Sequence, residues 1–312
     1  MNKLPTFEDV TQEQEKIDIL CSDRELVTNE IFTGNAFYGN DFIVKSYIGI
    51  KHNYPLKFII PHGIVFNSSQ IWEAEEKSII PTIACYQKSR YDFYKKKFYK
   101  KKYVIHIAAP YTYIPYIINS IPSVHRKGTI FFPAHSTHHV TAVMNYERLS
   151  EFIENLDEKY HPVTICMYWR DINLGHGECF KKKGFRIVSA GHIFDKLFLF
   201  RLYYLCLQHE FSMSNSPGSH LFFSQYAGCC SSFIENEKVI YSASKEIVKR
   251  DVAKMDDVHV DLLRNFIFNK NIDDNKKRKI TLDFLGYSNI VNKYLLLLLL
   301  IKSEVYYFLS KK

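Results

Sequence analysis

The sequence predicts an α/β chain built on right-handed parallel sheet of the Rossmann type. Two observations carry the prediction. Between Thr129 and Ile234, short apolar runs alternate with helix-length segments, and most of those runs end in polar turns. The 312 residues are also 46% hydrophobic, enough for a large core and for two domains rather than one.

Taken in order, residues 1 to about 25 read as a polar lead-in, and Glu25–Phe32 fits helix or strand. Phe42–Ile50 alternates and is β-branched, as a strand is. Leu56–Ile60 is an apolar run ending in Pro61-His62-Gly63, strand then turn. Ser68–Lys77 reads as a helix with Glu73, Glu75 and Glu76 exposed. Ile79–Cys85 and Val104–Ala109 read as buried strands. The Lys/Tyr/Phe tract Tyr91–Tyr103 lies between them as a surface loop. Tyr111–Ile118 is a short helix or irregular.

Pro122–Lys127 is polar, carries a proline and marks the domain boundary. Beyond it, strands are expected at Thr129–Phe132, Val163–Tyr168, Phe185–Ser189, Phe211–Met213 and Cys229–Ile234. Helices are expected at Tyr146–Asp157, capped by Asn145, at Glu178–Lys183, closed by Gly184, and from about Asp195 through Leu207. In Phe211–Gly228, Ser216 serves as N-cap and Pro217 as first helical residue of a further helix. Lys245–Lys254 and Val258–Phe268 look amphipathic, and Asn269–Lys279 looks like a charged loop. Thr281–Gly286 and Asn289–Leu309 read as a terminal helix pair. The division is 1–126, 127–280, and C-terminal helices over 281–312.

A net charge of +8 points to anionic partners: nucleotide phosphates, an acidic glycan, a membrane surface or nucleic acid. Seven scattered cysteines without a CxxC pair suit a reducing compartment better than a disulfide framework. The N-terminal stretch has no secretory-signal pattern, and the apolar run Tyr294–Ile301 is too short to span a bilayer. A cytoplasmic protein touching the inner face of the cell membrane is therefore expected. GxGxxG, GKS/T and GxSxG are absent, so dinucleotide redox, NTPase and hydrolase readings lack their signatures.

Ligands of open parallel sheets bind beyond the carboxyl ends of the strands. Four strand ends here are polar: His135-Ser136-Thr137-His138-His139, Arg170-Asp171, Gly191-His192 and Ser214-Asn215-Ser216. The last runs on through Pro217, Gly218, Ser219 and His220 into a helix start, where free N–H groups and partial positive charge receive anions. Imidazoles, a guanidinium and hydroxyls on one edge suit a diphosphate, or a phosphate plus a sugar carboxylate. An ordinary capped helix is the plain alternative for the last turn. His135, His138 and His139 with Asp171 match a metal site by ligand type, but the spacing is loose, and no metal or other cofactor is expected. The Lys95–Lys102 tract alternates basic and aromatic residues, as nucleic-acid binders also do. It is read as a solvated or membrane-facing surface, with no nucleic-acid partner.

The His135-Ser136 turn, the Ser214-Asn215-Ser216 turn and the segment from Ile187 to Tyr226 resemble the GT-B glycosyltransferases. The similarity is to bacterial enzymes of capsule and lipopolysaccharide synthesis, including sialyl-, Kdo- and polyol-phosphate transferases. It covers Thr129–Ile234, and the first half only by architecture. The resemblance implies two Rossmann-like domains facing a cleft, the second holding a CMP- or UDP-linked sugar donor. The first would hold a surface-polysaccharide or lipid-linked glycan acceptor. It implies metal-independent, inverting transfer, with His135 helping the nucleotide depart and His62 as base. Donor contacts would come from Ser136, His138, His139, Arg170, Asp171, His192, Ser214, Asn215, Ser216, Gly218, Ser219 and His220. A CDP-alditol-dependent polyol-phosphate transferase and a non-catalytic binder of anionic glycan or nucleic acid remain as alternatives. The terminal helix is expected to cross back onto the first domain and bury Leu295–Ile301. The six lysines of Lys95–Lys97 and Lys100–Lys102 would then meet an anionic membrane.

Overall fold

The computed structural model describes residues 4–118, 123–235, 239–243, 255–270, 272–290 and 292–311. Its strands are β1 (Thr82–Cys85), β2 (Tyr103–His106), β3 (Thr129–Phe132), β4 (Thr141–Val143), β5 (Val163–Cys166), β6 (Arg186–Val188), β7 (Phe211–Ser214), β8 (Cys230–Phe233) and β9 (Ile240–Ser242). Five of them form one parallel sheet in the order β6-β5-β3-β7-β8. This is the Rossmann order, first strand in the middle and direction of winding reversed between β3 and β7. The mixed α/β class read from the sequence is the class observed.

The sheet is buried on both faces because successive side chains point opposite ways. Phe131, Ile165 and Met213 pack with Leu149, Ile153 and Phe180 from helices Tyr146–Glu154 and Glu178–Lys182. Ile130, Phe132 and Val188 pack on the other side with Leu202, Leu205 and Phe222, from helices Phe198–Leu207 and Ser219–Ala227. Phe198–Leu207 is buried all round after its first residue, as an apolar central helix must be. Residues near the N-terminus close the β6 edge: the Gln14 amide exchanges two hydrogen bonds, each 2.9 Å, with the backbone of Ser189.

The first half is less regular. β1 and β2 pair in parallel, and Ile59 bridges to Ile83, so the Leu56–Ile60 run lies alongside β1. Asn35 then does what another strand would, accepting from Ile60 N–H at 2.7 Å and donating to the Phe58 carbonyl at 2.9 Å. Phe42–Ile50 is not a strand; Asn40–Ile48 is a helix. Its β-branched run is buried on several sides, and Asp41 and Lys45 pair one turn apart, a spacing only a helix provides. Lys88–Lys97 is likewise a helix rather than a loop, with Tyr94 buried inside it and Phe98 buried at its end. Of the expected Ser68–Lys77 helix only Glu73–Lys77 forms. Asn269–Lys279 is largely helical too: Asp273 caps a helix over Asp274–Phe284. The antiparallel pair β4–β9 was not foreseen. Lys245–Lys254 lies outside the described residues.

The terminal helix, Lys293–Leu309, packs against Asn40–Ile48 and β1. It does not bury Leu295–Ile301 as a block: Leu296 and Leu300 are buried, whereas Leu298 is 59% and Ile301 51% exposed. A single-helix contact hides one stripe of an all-apolar helix and leaves the opposite stripe in water. Among the described residues no helix is long and apolar enough to cross a membrane.

Candidate functional site

The crevice of a doubly wound sheet opens where the winding reverses, here beyond β3 and β7. A pocket of about 370 Å³ lies there. Its floor comes from the second half: Phe132, Pro133, His135, Thr137 and the Pro217–His220 turn. His62, Gly63, Ile64 and Trp72 of the first half also line it. Tyr38, Tyr168, Phe198 and Phe223 complete largely aromatic walls.

The helix at the pocket starts at Ser219, not at Ser216 as its proline suggested. Gly218 is the N-cap in an extended conformation, and no side chain caps the helix. The Ser214 hydroxyl closes the preceding turn, donating to the Ser216 carbonyl at 2.7 Å and accepting from Ser216 N–H at 3.1 Å. That bond pattern closes the turn directly after β7 and leaves the helix N-terminus, with its partial positive charge, open to the pocket. Ser219 Oγ accepts from Ile64 N–H at 2.9 Å and joins the two halves at the rim.

Three histidines converge on this space. The His135 ring contacts Tyr168 at 4.6 Å between centroids, and its Nδ1 lies 3.1 Å from the Ser136 carbonyl. Nδ1 donates to that carbonyl, which leaves Nε2 free of the backbone. His220 stacks on Phe132 at 5.1 Å, and its Nε2 is buried without a partner. Burial, assisted by His135, pushes its imidazole down to about 3. His62 sits 5.5 Å from the Trp72 ring, and burial, with the charge of Arg90, pushes it down to about 4. Both rings are therefore neutral at pH 7. The Tyr38 and Tyr168 hydroxyls are held far from ionisation, chiefly by burial. Tyr38 also sits at φ 59°, a rare backbone setting for an aromatic residue and one that concentrates at functional sites.

Of the residues singled out from the sequence, His62, His135, Gly218, Ser219 and His220 line the pocket. Ser136, Asp171 and Asn215 are instead committed to the framework. Ser136 Oγ donates to Asp171 at 2.7 Å and its backbone N–H at 2.9 Å, while Asp171 also meets His176 at 3.1 Å. Asn215 accepts from Ala134 N–H at 2.6 Å and so clamps the ends of β3 and β7 together. His138 and His192 lie outside the pocket lining, in an aromatic group with Trp169 and Phe194. His139 is exposed on the surface, and Arg170 is half-buried outside the lining. Ser216 borders the pocket turn without lining it. Trp72, Tyr38 and Tyr168 were missed; no local pattern marks an aromatic residue as a wall rather than as core.

Asp23, His138 and His192 bring three potential ligand atoms within 4.8 Å of one another. The donor set does not fit a metal. His192 Nδ1 accepts from Phe194 N–H at 3.1 Å, so the neutral ring carries its proton on Nε2, the atom 3.4 Å from Asp23. A protonated nitrogen is a hydrogen-bond donor and cannot ligate.

No protein-family model matches the chain, and no curated protein matches it. Several solved structures resemble it at a low level, two of them as follows. One, described as the crystal structure of a GtfA/B complex, has 8% identity and a TM-score of 0.36, covering 86% of this chain and 54% of that one. The other, an S. aureus MnaA–UDP co-structure, has 11% identity and a TM-score of 0.38, covering 94% of this chain and 77% of that one. The chain thus spans about half the length of the GtfA/B match. Likeness of this order carries no conclusion about activity.

Proposed function

We propose that the chain is a glycosyltransferase that takes a nucleotide-linked sugar into the β3/β7 crevice. One observation carries the reading: an uncapped helix N-terminus opens into an aromatic pocket at the reversal point of the sheet. The donor phosphate, single in a CMP-linked sugar and double in a UDP-linked one, lies against the N–H groups of Gly218–His220. The nucleoside and sugar lie against the aromatic walls. In this reading residues 127–280 hold the donor and residues 1–126 present the acceptor, a surface-polysaccharide or lipid-linked glycan.

The transfer is written as a single inverting displacement. The acceptor hydroxyl oxygen forms a bond to the anomeric carbon as the bond from that carbon to the phosphate oxygen breaks. His62, neutral at pH 7, accepts the hydroxyl proton. Charge developing on the departing phosphate is met by the helix N-terminus and by His135 Nε2, which donates when the ring is protonated. Protein donors fill the role that a divalent ion fills elsewhere. A CDP-alditol donor would use the same anion site: the acceptor hydroxyl would bond to the phosphorus that bears the alditol, the bond from that phosphorus to the CMP oxygen would break, and the whole alditol phosphate would be transferred.

The test is thermal stability against CMP-, CDP-, UDP- and GDP-linked compounds. A ligand that binds only the folded chain raises the melting temperature with concentration. One nucleotide class is expected to do so, and its sugar-bearing form is expected to turn over when an acceptor glycan is added. Stabilisation by none of the four classes removes the proposal; stabilisation without turnover of any acceptor leaves a binding protein.

A further inference from the structure

The face of Lys293–Leu309 that turns away from the protein is apolar. Tyr294, Leu298, Ile301, Val305 and Phe308 lie three or four residues apart and are each at least half exposed. That spacing puts them in one stripe opposite Leu296, Leu300, Ser303 and Tyr307, which are buried. At about 1.5 Å per residue the stripe runs for some 20 Å. A surface of this kind on a soluble fold marks an interaction site.

The neighbourhood says what covers it. Lys293 and Lys302 are exposed on the helix and Lys311 is exposed just beyond its end. Its single acid, Glu304, is half-buried beside Tyr54. The lysine tract adjoins it directly: Tyr103, which follows Lys100-Lys101-Lys102, stacks on Tyr306 at 4.9 Å, and Lys302 lies 4.6 Å over the Tyr103 ring. Tyr99, at 71% exposure, stands in the same turn. The tract alone is a poor anchor. Its Tyr94 and Phe98 are buried, and Lys102 is tied to the carbonyls of Ser78 and Ile80 at 2.7 and 2.8 Å.

We propose that the outward face of Lys293–Leu309 and the adjoining lysines form one surface that docks on an anionic phospholipid bilayer. The apolar stripe enters the boundary between headgroups and chains, tyrosines sit at headgroup level, and the lysines meet lipid phosphates. The helix lies in the membrane plane and does not cross it. This inference does not depend on the transfer reading, and its test does not use activity.

The full chain is floated with vesicles of phosphatidylcholine containing phosphatidylglycerol and with vesicles of phosphatidylcholine alone. Co-flotation is expected only with the anionic vesicles. A Leu298→Gln/Ile301→Gln/Val305→Gln variant alters exposed positions only and is expected to melt as the wild type does and to lose flotation. Lys100→Gln/Lys101→Gln/Lys302→Gln is expected to weaken partition on the order of a hundredfold, each lysine near the leaflet being worth roughly a factor of ten or less. Equal binding to neutral vesicles, or wild-type flotation of either variant, overturns the proposal. So does a dimer by light scattering that the apolar variant converts to monomer while the wild type never floats, because a second copy then covers the face.

Discussion

The sheet β6-β5-β3-β7-β8 is held by apolar side chains on both faces, whereas the half around β1 and β2 is organised about buried ions. In the second half a neutral cluster sits beneath the sheet, where Ser212, Ser224 and Ser231 share hydroxyl hydrogen bonds of 2.6 to 2.9 Å, and the buried charges Asp171 and Arg201 lie at the strand ends and the sheet edge rather than at its centre. In the first, Lys45 pairs with Glu30 and with Asp41 at 2.7 Å, and Arg90 and Tyr94 surround Glu75. Apolar layers tolerate variation in detail; buried charges work only with every partner in place. The difference teaches where each half is vulnerable, and the largest expected effect follows from it. Lys45→Met leaves Glu30 and Asp41 without their cation and is expected to cost about 3–5 kcal/mol, read from urea unfolding. Ile165→Val, one methylene from the apolar sheet, is expected to cost about 1 kcal/mol. Equal costs would erase the distinction.

The same contrast decides what was legible. The five strands of the parallel sheet fell within a residue or two of their expected places because their apolar runs are continuous and closed by Gly or polar turns. Asn40–Ile48 was misread because Phe42, Ile43 and Val44 look like a strand; the Asp41–Lys45 spacing fits a helix, but the burial of Lys45 against Glu30 that gives the pair its weight is a tertiary fact. Strand ends were legible as polar. What each polar group does was not, since Ser136 and Asp171 satisfy one another and Asn215 clamps two strands. A hydroxyl at a strand end looks the same in sequence whether it faces ligand or backbone. His62 lies in the less legible half, yet it reaches the pocket because its turn is pinned across by Ser219.

The next effect in size concerns the pocket, where the two halves meet. His135→Ala is expected to lower turnover about a hundredfold while donor affinity changes little, as for loss of one positioned donor at a developing charge. Steady-state kinetics with the donor found by the stability panel checks it. Wild-type turnover in this variant would reduce His135 to a ring packed on Tyr168.

A smaller effect separates the halves by pH. Burial holds His192 at about 4, as it does His62. A folded-state value below the unfolded one means that the unfolded chain binds more protons between about pH 4 and 6.5. Stability from these rings is therefore present above 6.5 and lost as pH falls toward 4. Glu30 and Glu75 are raised by burial, so their cost grows as pH rises above 4.5 and opposes the histidines. His192→Asn keeps an oxygen near the place of Nδ1 for Phe194 N–H. It is expected to flatten the unfolding free energy between pH 5 and 6 by about 1.4 kcal/mol per pH unit, one proton's worth. An unchanged slope would mean that His192 is not among the groups that titrate on unfolding.

The smallest effect tests the seam itself. Ser219 Oγ is the hydroxyl at the pocket rim that accepts from the opposite half, and it does so from Ile64 N–H, two residues beyond His62. Ser219→Ala removes the acceptor and adds no bulk. The Ile64 N–H is half-buried and at the pocket edge, where water can reach it, so the expected cost is about 1 kcal/mol rather than the larger penalty of a sealed donor. Stability alone does not distinguish a seam from any other lost bond. The distinguishing readout is the coupling between Ser219→Ala and His62→Ala on turnover. If Ser219 acts by fixing the His62 turn, its removal costs several-fold in the wild-type background and almost nothing once His62 is gone. Additive losses would mean that Ser219 serves the donor side alone and that each half shapes its own side of the pocket.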